Sequence, residues 1–295
     1  MKFQLHNLLP NSFFSTLIVA TFLLTLFACS KEITMDYPKT EKQLVVEGYI
    51  ENGKYPIVFL TKSSPYFEKI DSANIADLIA SVAKVTVICD SLEEVLTLRF
   101  NPNYFPYYYY EGTSILGEIG KSYTLKIELS GKTYTSTTTI VEPVPIDKLS
   151  LVTNSENVTH KFINIQFKDP AKKSNFYRVY ARRIGKDSTF YPSYLSTFND
   201  FGFDGNDFTY EVIRSYSPII KSDNGRSFLD GDSAQIKFCS IEEKQYNYWK
   251  KIEGQIALAS NPFGISSSEP PSTIEGGALG IWAGLSSKYY TIKIK

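Results

Sequence analysis

From Gln43 onward apolar residues recur at alternate positions, the period of a strand with one face buried and the other wet. Leu44-Val45-Val46-Glu47-Gly48-Tyr49-Ile50 and Ile57-Val58-Phe59-Leu60 flank a turn around Asn52-Gly53, a dipeptide that tolerates the left-handed backbone of a tight hairpin. Ala83, Val85, Val87 and Cys89 share one strand face. The clearest hairpin joins residues 122–129 to 132–140 through Ser130-Gly131, with Tyr123, Leu125, Ile127 and Leu129 alternating against Ser122, Thr124, Lys126 and Glu128. Val141-Glu142-Pro143-Val144-Pro145 then breaks the alternation, because two prolines without N–H groups favour an extended linker over a paired strand. Strand patterns resume at Ile163, Ile165 and Phe167, at residues 176–184 and 233–240, and as two closing strands at 280–284 and 289–295.

One stretch departs from this period. Ser240-Ile241-Glu242-Glu243 matches a capping box, and Ile241, Trp249, Ile252 and Ile256 recur at helical spacing. Lys250 and Lys251 suit the negative end of a helix dipole, and Gly254 suits a left-handed cap, which predicts a helix near 241–253. The expected fold is therefore all-β. Two immunoglobulin-like β-sandwich domains, 43–141 and 146–295, are predicted, the second carrying one amphipathic helix.

Composition agrees with this picture. The chain holds 21 Tyr and 20 Phe, residues at home on a pleated, half-buried surface, against 2 His, 3 Cys and 2 Met. So few histidines exclude much catalytic and metal chemistry. With 31 basic and 31 acidic side chains there is no bulk charge to hold nucleic acid, and no nucleic-acid partner is expected.

Ahead of the alternating region the pattern is of another kind. Phe13 to Ala28 run almost unbroken apolar, shorter than the ~20 residues a spanning helix needs and placed where the apolar region of a secretory signal lies. Leu26-Phe27-Ala28-Cys29 resembles a bacterial lipobox, although Phe27 is bulkier than usual at its position. This reading makes 1–28 a lipoprotein signal peptide, Ala28 the residue before the cut, Cys29 the lipidated N-terminus and 29–42 a tether. Acyl chains on Cys29 would then hold the protein to a membrane, since two or three chains anchor where one is marginal. The alternatives are an uncleaved anchor and a plain secreted protein.

Sites that could carry chemistry are few. Outside the signal only His160 remains, placed by alternation on a polar face with Asn164 and Gln166 and with no nucleophile-elbow motif nearby; it reads as a solvated strand histidine. No cofactor motif stands in the chain, and neither a catalytic residue nor a cofactor is expected, although paired carboxylates need no fixed spacing and leave a hydrolase open. Cys89 and Cys239 point into different predicted domains, so two free buried thiols are expected rather than a disulfide. The acidic loop 199–207 offers Asp200, Asp204, Asn206 and Asp207 as calcium ligands, but Asp, Asn and Gly are also what turns are made of, and the spacing is not that of an EF-hand. Tyr107, Tyr108, Tyr109 and Tyr110 would, if exposed, offer rings for a ligand or partner; as a strand they would pack alternately across a sheet, which is the preferred reading.

Several separated strings resemble one family, the domain of unknown function 4249 proteins, which are lipoproteins of the Bacteroidetes. They are Leu44-Val45-Val46-Glu47-Gly48, Asn199-Asp200 with Asp204-Gly205, Tyr246-x-Tyr248-Trp249, and Asn261-Pro262-Phe263 leading to Ile274-Glu275-Gly276-Gly277-Ala278-Leu279-Gly280. The resemblance implies an outer-membrane lipoprotein, accessory to a TonB-dependent transporter in nutrient capture, and implies no catalytic or ligand residues. The expectation is thus a lipid-anchored binding component with a TonB-dependent transporter as partner. The alternative is a structural or adhesive surface lipoprotein.

Overall fold

The computed structural model describes residues 42–64, 78–102, 104–154, 157–214, 226–259 and 269–295. The expected signal peptide, Ala28, Cys29, and the tether up to Glu41 lie outside the described residues, as do Ser30 to Glu32 and Asn261 to Phe263. Lys42–Lys295 forms one compact unit, all-β and sandwich-like, with one α-helix among the described residues.

An eight-stranded sheet is the body of the fold. Its strands are β1 (Leu44–Glu51), β2 (Ile57–Lys62), β5 (Thr97–Phe100), β6 (Tyr108–Glu111), β11 (Phe176–Arg183), β12 (Tyr191–Asn199), β15 (Ser233–Ile241) and β16 (Leu279–Lys293). They lie in the order β12-β11-β15-β16-β1-β2-β6-β5. Two four-stranded sheets stack on it. One joins β3 (Lys84–Cys89), β4 (Leu92–Val95), β7 (Ser122–Leu129) and β8 (Lys132–Thr139), and the other β9 (Lys148–Thr153), β10 (His160–Lys168), β13 (Asp207–Val212) and β14 (Phe228–Leu229). Strand alternation explains the layering. Val46, Ile50, Val58, Leu60 and Trp282 pack with Val85, Val87, Tyr123 and Ile127 in a first core. Tyr177, Val179, Ile236 and Phe238 pack with Ile163, Ile165 and Phe167 in a second.

Along the chain the core changes near 141–146, since Ile140 belongs to the first and Val144 and Ile146 to the second. The large sheet does not stop there. β16 pairs parallel with β1, Val45 opposite Leu279 through Glu51 opposite Leu285, and then antiparallel with β15, Ser286 opposite Ser240 through Lys293 opposite Ser233. The two closing strands expected at 280–284 and 289–295 are therefore one continuous strand, because Leu285-Ser286-Ser287-Lys288 contains no breaker and keeps the alternation. The hairpin of β7 and β8 forms as expected, with Leu129 opposite Lys132 and positive φ at both Ser130 and Gly131.

The helix α1 (Glu243–Ala259) corrects the expected boundaries at both ends. Ser240 does not cap it, because pairing of Phe176 with Ile241 draws both residues into β15, and the Ser240 hydroxyl accepts the Val144 N–H at 3.1 Å instead. The Glu242 carbonyl takes the first helical N–H groups, from Gln245 and Tyr246. At the other end Gln255-Ile256-Ala257-Leu258-Ala259 are good helix formers, so the helix runs through Gly254. The inward face also differs from the isoleucine stripe. Ile241 is a strand residue and Ile256 is 67% exposed, while Gln245, Trp249 and Glu253 face the sheet at successive turns. Glu253 Oε1 accepts from Ser196 Oγ at 2.6 Å and Thr197 N at 3.0 Å, pinning α1 to β12.

Two glycines test this backbone in opposite directions. Gly254 has open space around its Cα and lies in a helix interior, so Gly254→Ala should raise stability by about 0.5–1 kcal/mol. Gly280 has φ +117° and its added Cβ would lie 1.8 Å from the Val46 carbonyl oxygen, so Gly280→Ala should cost more than the ~1–3 kcal/mol of backbone strain alone. Urea titration of both variants checks the pair, and a destabilised Gly254→Ala would mean that the helix ends there.

Candidate ligand cavity

The face of the large sheet turned away from the two cores is not covered throughout. Residues that alternate with the core set emerge there: Glu47, Tyr49 and Glu51 from β1, Ile281, Ala283 and Leu285 from β16, Gln235 and Lys237 from β15, and Arg178, Tyr180 and Arg182 from β11. A third apolar cluster, of Cys239, Ile241, Ile281, Ala283 and Leu285 with Tyr49, Tyr180, Tyr246 and Trp249, makes the floor and one wall. Helix α1 supplies Trp249, and the chain before β6 supplies Tyr104. Together they enclose a cavity of about 920 Å³, within the range of small-molecule sites.

Its polar groups fall into two sets. Most are satisfied within the protein. Lys237 donates to Glu51, which also accepts from the Tyr289 hydroxyl and pairs with Lys54 at 3.0 Å. Burial alone would raise the Glu51 carboxyl, but Lys237, Tyr289 and Lys54 hold it below its ordinary value. Burial would likewise lower Lys237, yet the Cys239 sulfur and the Glu51 carboxylate hold it above its ordinary value. Arg182 donates to Gln235 Oε1 at 2.9 Å and lies 4.7 Å from the Phe190 ring centroid. Glu111 is within 3.9 Å of Arg99.

The second set is Arg178 and Glu47. Arg178 is only 4% exposed, and its guanidinium carbon lies 3.5 Å from the Trp249 ring centroid and 5.0 Å from that of Tyr180. Rings hold this cation from its face, but the buried Nε and Nη1 have no hydrogen-bond acceptor among the described residues. Glu47 lines the same cavity with its side chain accessible, although surrounding protein crowds it. Burial pushes its carboxyl above the ordinary range, and the charge of Arg178 only partly opposes this. Among the described residues no hydrogen bond or ion pair reaches the Glu47 carboxylate. The Tyr248 phenol is pushed up to about 12, by burial first and by the Glu47 charge second. An oppositely charged pair thus faces one cavity without closing on itself.

The residues singled out from sequence lie elsewhere. Tyr107 and Tyr108 are exposed; Tyr109 is buried against Phe59 and Tyr104; Tyr110 is buried in the first core, with its hydroxyl donating to the Ala80 carbonyl at 3.0 Å. None of the four lines the cavity, whereas their neighbour Tyr104 does. In the acidic loop Asp200 and Asp204 come together with Asp169, which sequence reading missed. Both oxygens of Asp169 accept from the chain itself, from the Tyr177 hydroxyl and the Gly205 N–H, as does one oxygen each of Asp200, from the Asn175 N–H, and Asp204, from the Lys172 N–H. Asn206 bonds the Asp204 carbonyl, and Asp207 enters β13 opposite Lys168. His160 Nδ1 lies 2.7 Å from Ser227 Oγ, and neither lines the cavity. Cys89 and Cys239 are free and buried, as expected.

Glu47 and Trp249, which line the cavity, belong to the strings Leu44-Val45-Val46-Glu47-Gly48 and Tyr246-x-Tyr248-Trp249. Residues 30–280 match the family model described as Domain of unknown function (DUF4249). No curated protein matches the chain.

The Lys237–Glu51 pair has a testable energetic signature. Removing Glu51 strands the Lys237 charge, whereas removing Lys237 leaves Glu51 with Lys54 and Tyr289, so Glu51→Gln should destabilise by about 3–5 kcal/mol and Lys237→Met by less, with the double variant recovering much of the Glu51→Gln loss. Because Glu51 is depressed in the folded state, its contribution is present above its ordinary value of 4.5 and is lost as pH falls through the lower folded value. Melting curves in acid should therefore fall more steeply with decreasing pH for the wild type than for Glu51→Gln, and parallel curves would contradict the pairing.

Proposed function

The chain belongs to the DUF4249 family, a domain of unknown function, and we propose that it is a lipid-anchored cell-envelope protein whose cavity binds a small nutrient on behalf of a TonB-dependent uptake system. The observation that carries the binding reading is the pair Arg178 and Glu47. Arg178 is a charged group removed from bulk water without a hydrogen-bond acceptor for its buried Nε and Nη1 among the described residues, which costs free energy that a pairing ligand offsets, and Glu47 presents an accessible carboxylate to the same cavity. Around them stand rings suited to stacking, Tyr49, Tyr104, Tyr180 and Trp249. The anchoring part of the reading rests on Leu26-Phe27-Ala28-Cys29, and the outer-membrane location and the transporter partner rest on the family resemblance. No helix among the described residues is long and apolar enough to cross a membrane.

A second reading, a structural or adhesive surface protein, draws on the exposed rings of Phe100, Phe105, Tyr107 and Tyr108, which touch one another at the edge of the large sheet. Two measurements separate the readings. Cys29→Ala should move the protein from the membrane to the soluble fraction, and unchanged partition would remove the lipid anchor from the account. A nutrient screen by thermal melting should find a ligand that raises the melting temperature, and a tag after Lys295 should co-purify a TonB-dependent receptor. Loss of both results, with cell–cell adhesion altered instead, would favour the surface role.

A further inference from the structure

We infer that the cavity takes a small zwitterion, its carboxylate seated on Arg178 and its protonated amine on Glu47. The inference rests on the reading of the cavity as a ligand site and names the chemistry that site selects. The charges lining the cavity do not compete equally for a ligand. Lys237 and Lys54 share Glu51, Arg182 is turned to Gln235 and Phe190, and Glu111 faces Arg99. Among the described residues Arg178 and Glu47 are the cation and the anion of the cavity that no such partner engages.

Each alternative ligand leaves one of them worse placed. A simple anion on Arg178 would bring a second negative charge toward Glu47, which is already raised by burial. A simple cation on Glu47 would leave the guanidinium of Arg178 unpaired and 4% exposed. A neutral sugar hydrogen-bonds to both and neutralises neither. A zwitterion alone pairs both charges and brings no net charge into the cavity. The seats are also shaped for this division. Trp249 stacks on the face of the Arg178 guanidinium, which orients its planar fork toward in-plane recognition of a carboxylate. Tyr49 follows Glu47 on the same face of β1 and lines the cavity with it, a ring that favours an ammonium group. A volume of about 920 Å³ admits an amino acid or a short peptide, which share the chemistry.

The test is isothermal titration calorimetry on the full chain in detergent. The zwitterionic probes are L-phenylalanine and the dipeptide phenylalanyl-phenylalanine. Phenylpropionate lacks the amine, phenethylamine lacks the carboxylate, and glucose carries neither. At least one zwitterion should bind about tenfold or more tightly than both single-charge analogues, because each analogue leaves a built-in partner unpaired. Which of the two zwitterions binds tells a free amino acid from a peptide. Glu47→Gln should reduce the zwitterion to the affinity of phenylpropionate without weakening phenylpropionate itself. Arg178→Met should abolish the preference over phenethylamine. The Glu47 side chain holds no hydrogen bond among the described residues, so Glu47→Gln keeps the test decisive even where Arg178→Met fails to fold. Zwitterions no tighter than the analogues, or a Glu47→Gln variant that binds them unchanged, would overturn the inference. Glucose binding alone would overturn it while sparing the cavity as a ligand site, and the absence of any binding would overturn both.

Discussion

The structure depends on a single fifteen-residue strand, Leu279–Lys293, that keeps one alternation while it changes partners. Its first half pairs with the start of the described chain in β1, and its second half pairs with β15. Because side chains alternate with period two throughout, Trp282 and Gly284 meet the first core while Tyr290 and Ile292 meet the second, all on the same side of the sheet. The other side collects Ile281, Ala283, Leu285 and Tyr289. A slip of one residue in either half would exchange these sets, so both cores fix the register of the strand and the strand fixes the open face. Close approaches reinforce it. A Cβ at Gly48 would meet the Trp282 ring at 2.8 Å, and the Trp282 indole donates to the Tyr123 carbonyl at 2.9 Å.

The open face inherits its chemistry from that geometry. β1 and β11 are not neighbours in the sheet, and β15 and β16 lie between them. Glu47 and Arg178 therefore share a face without sharing a contact, and the small side chains of Ala283 and Cys239 between the flanking strands leave space above the floor. Farther along the same strands Lys237 and Glu51 do meet, and there the charges close into a structural pair. One sheet face thus carries a closed pair, which stabilises, and an open pair, to which the proposed ligand would bind.

Much of the fold was legible in the sequence, because each strand reports its own two faces. The β7–β8 hairpin, the burial of Ile163, Ile165 and Phe167, and the two free thiols followed from local alternation. The helix boundaries were misplaced where tertiary pairing prevailed over a capping motif, with Ser240 held in β15 and Gly254 carried inside α1 by the residues after it. The site was hidden for a different reason. Arg178-Val179-Tyr180-Ala181-Arg182 reads as a strand with a polar face, and nothing local says whether that face meets solvent, a helix or a carboxylate from the other end of the chain. Only the parallel pairing of β1 with β16 brings Glu47 to it, and parallel pairing leaves no turn in the sequence to announce it. The tyrosine run drew attention by its composition, yet its rings belong to the edge of the sheet and to the first core.

The central claim is that Glu47 and Arg178 are held apart to receive a ligand between them. A crystal structure of the protein purified from the cells that make it tests this most directly. The account predicts density for a small molecule bridging the Arg178 guanidinium and the Glu47 carboxylate above the floor of Ile281 and Ala283. Glu47 and Arg178 closed onto each other in a direct ion pair, with the cavity collapsed, would contradict it.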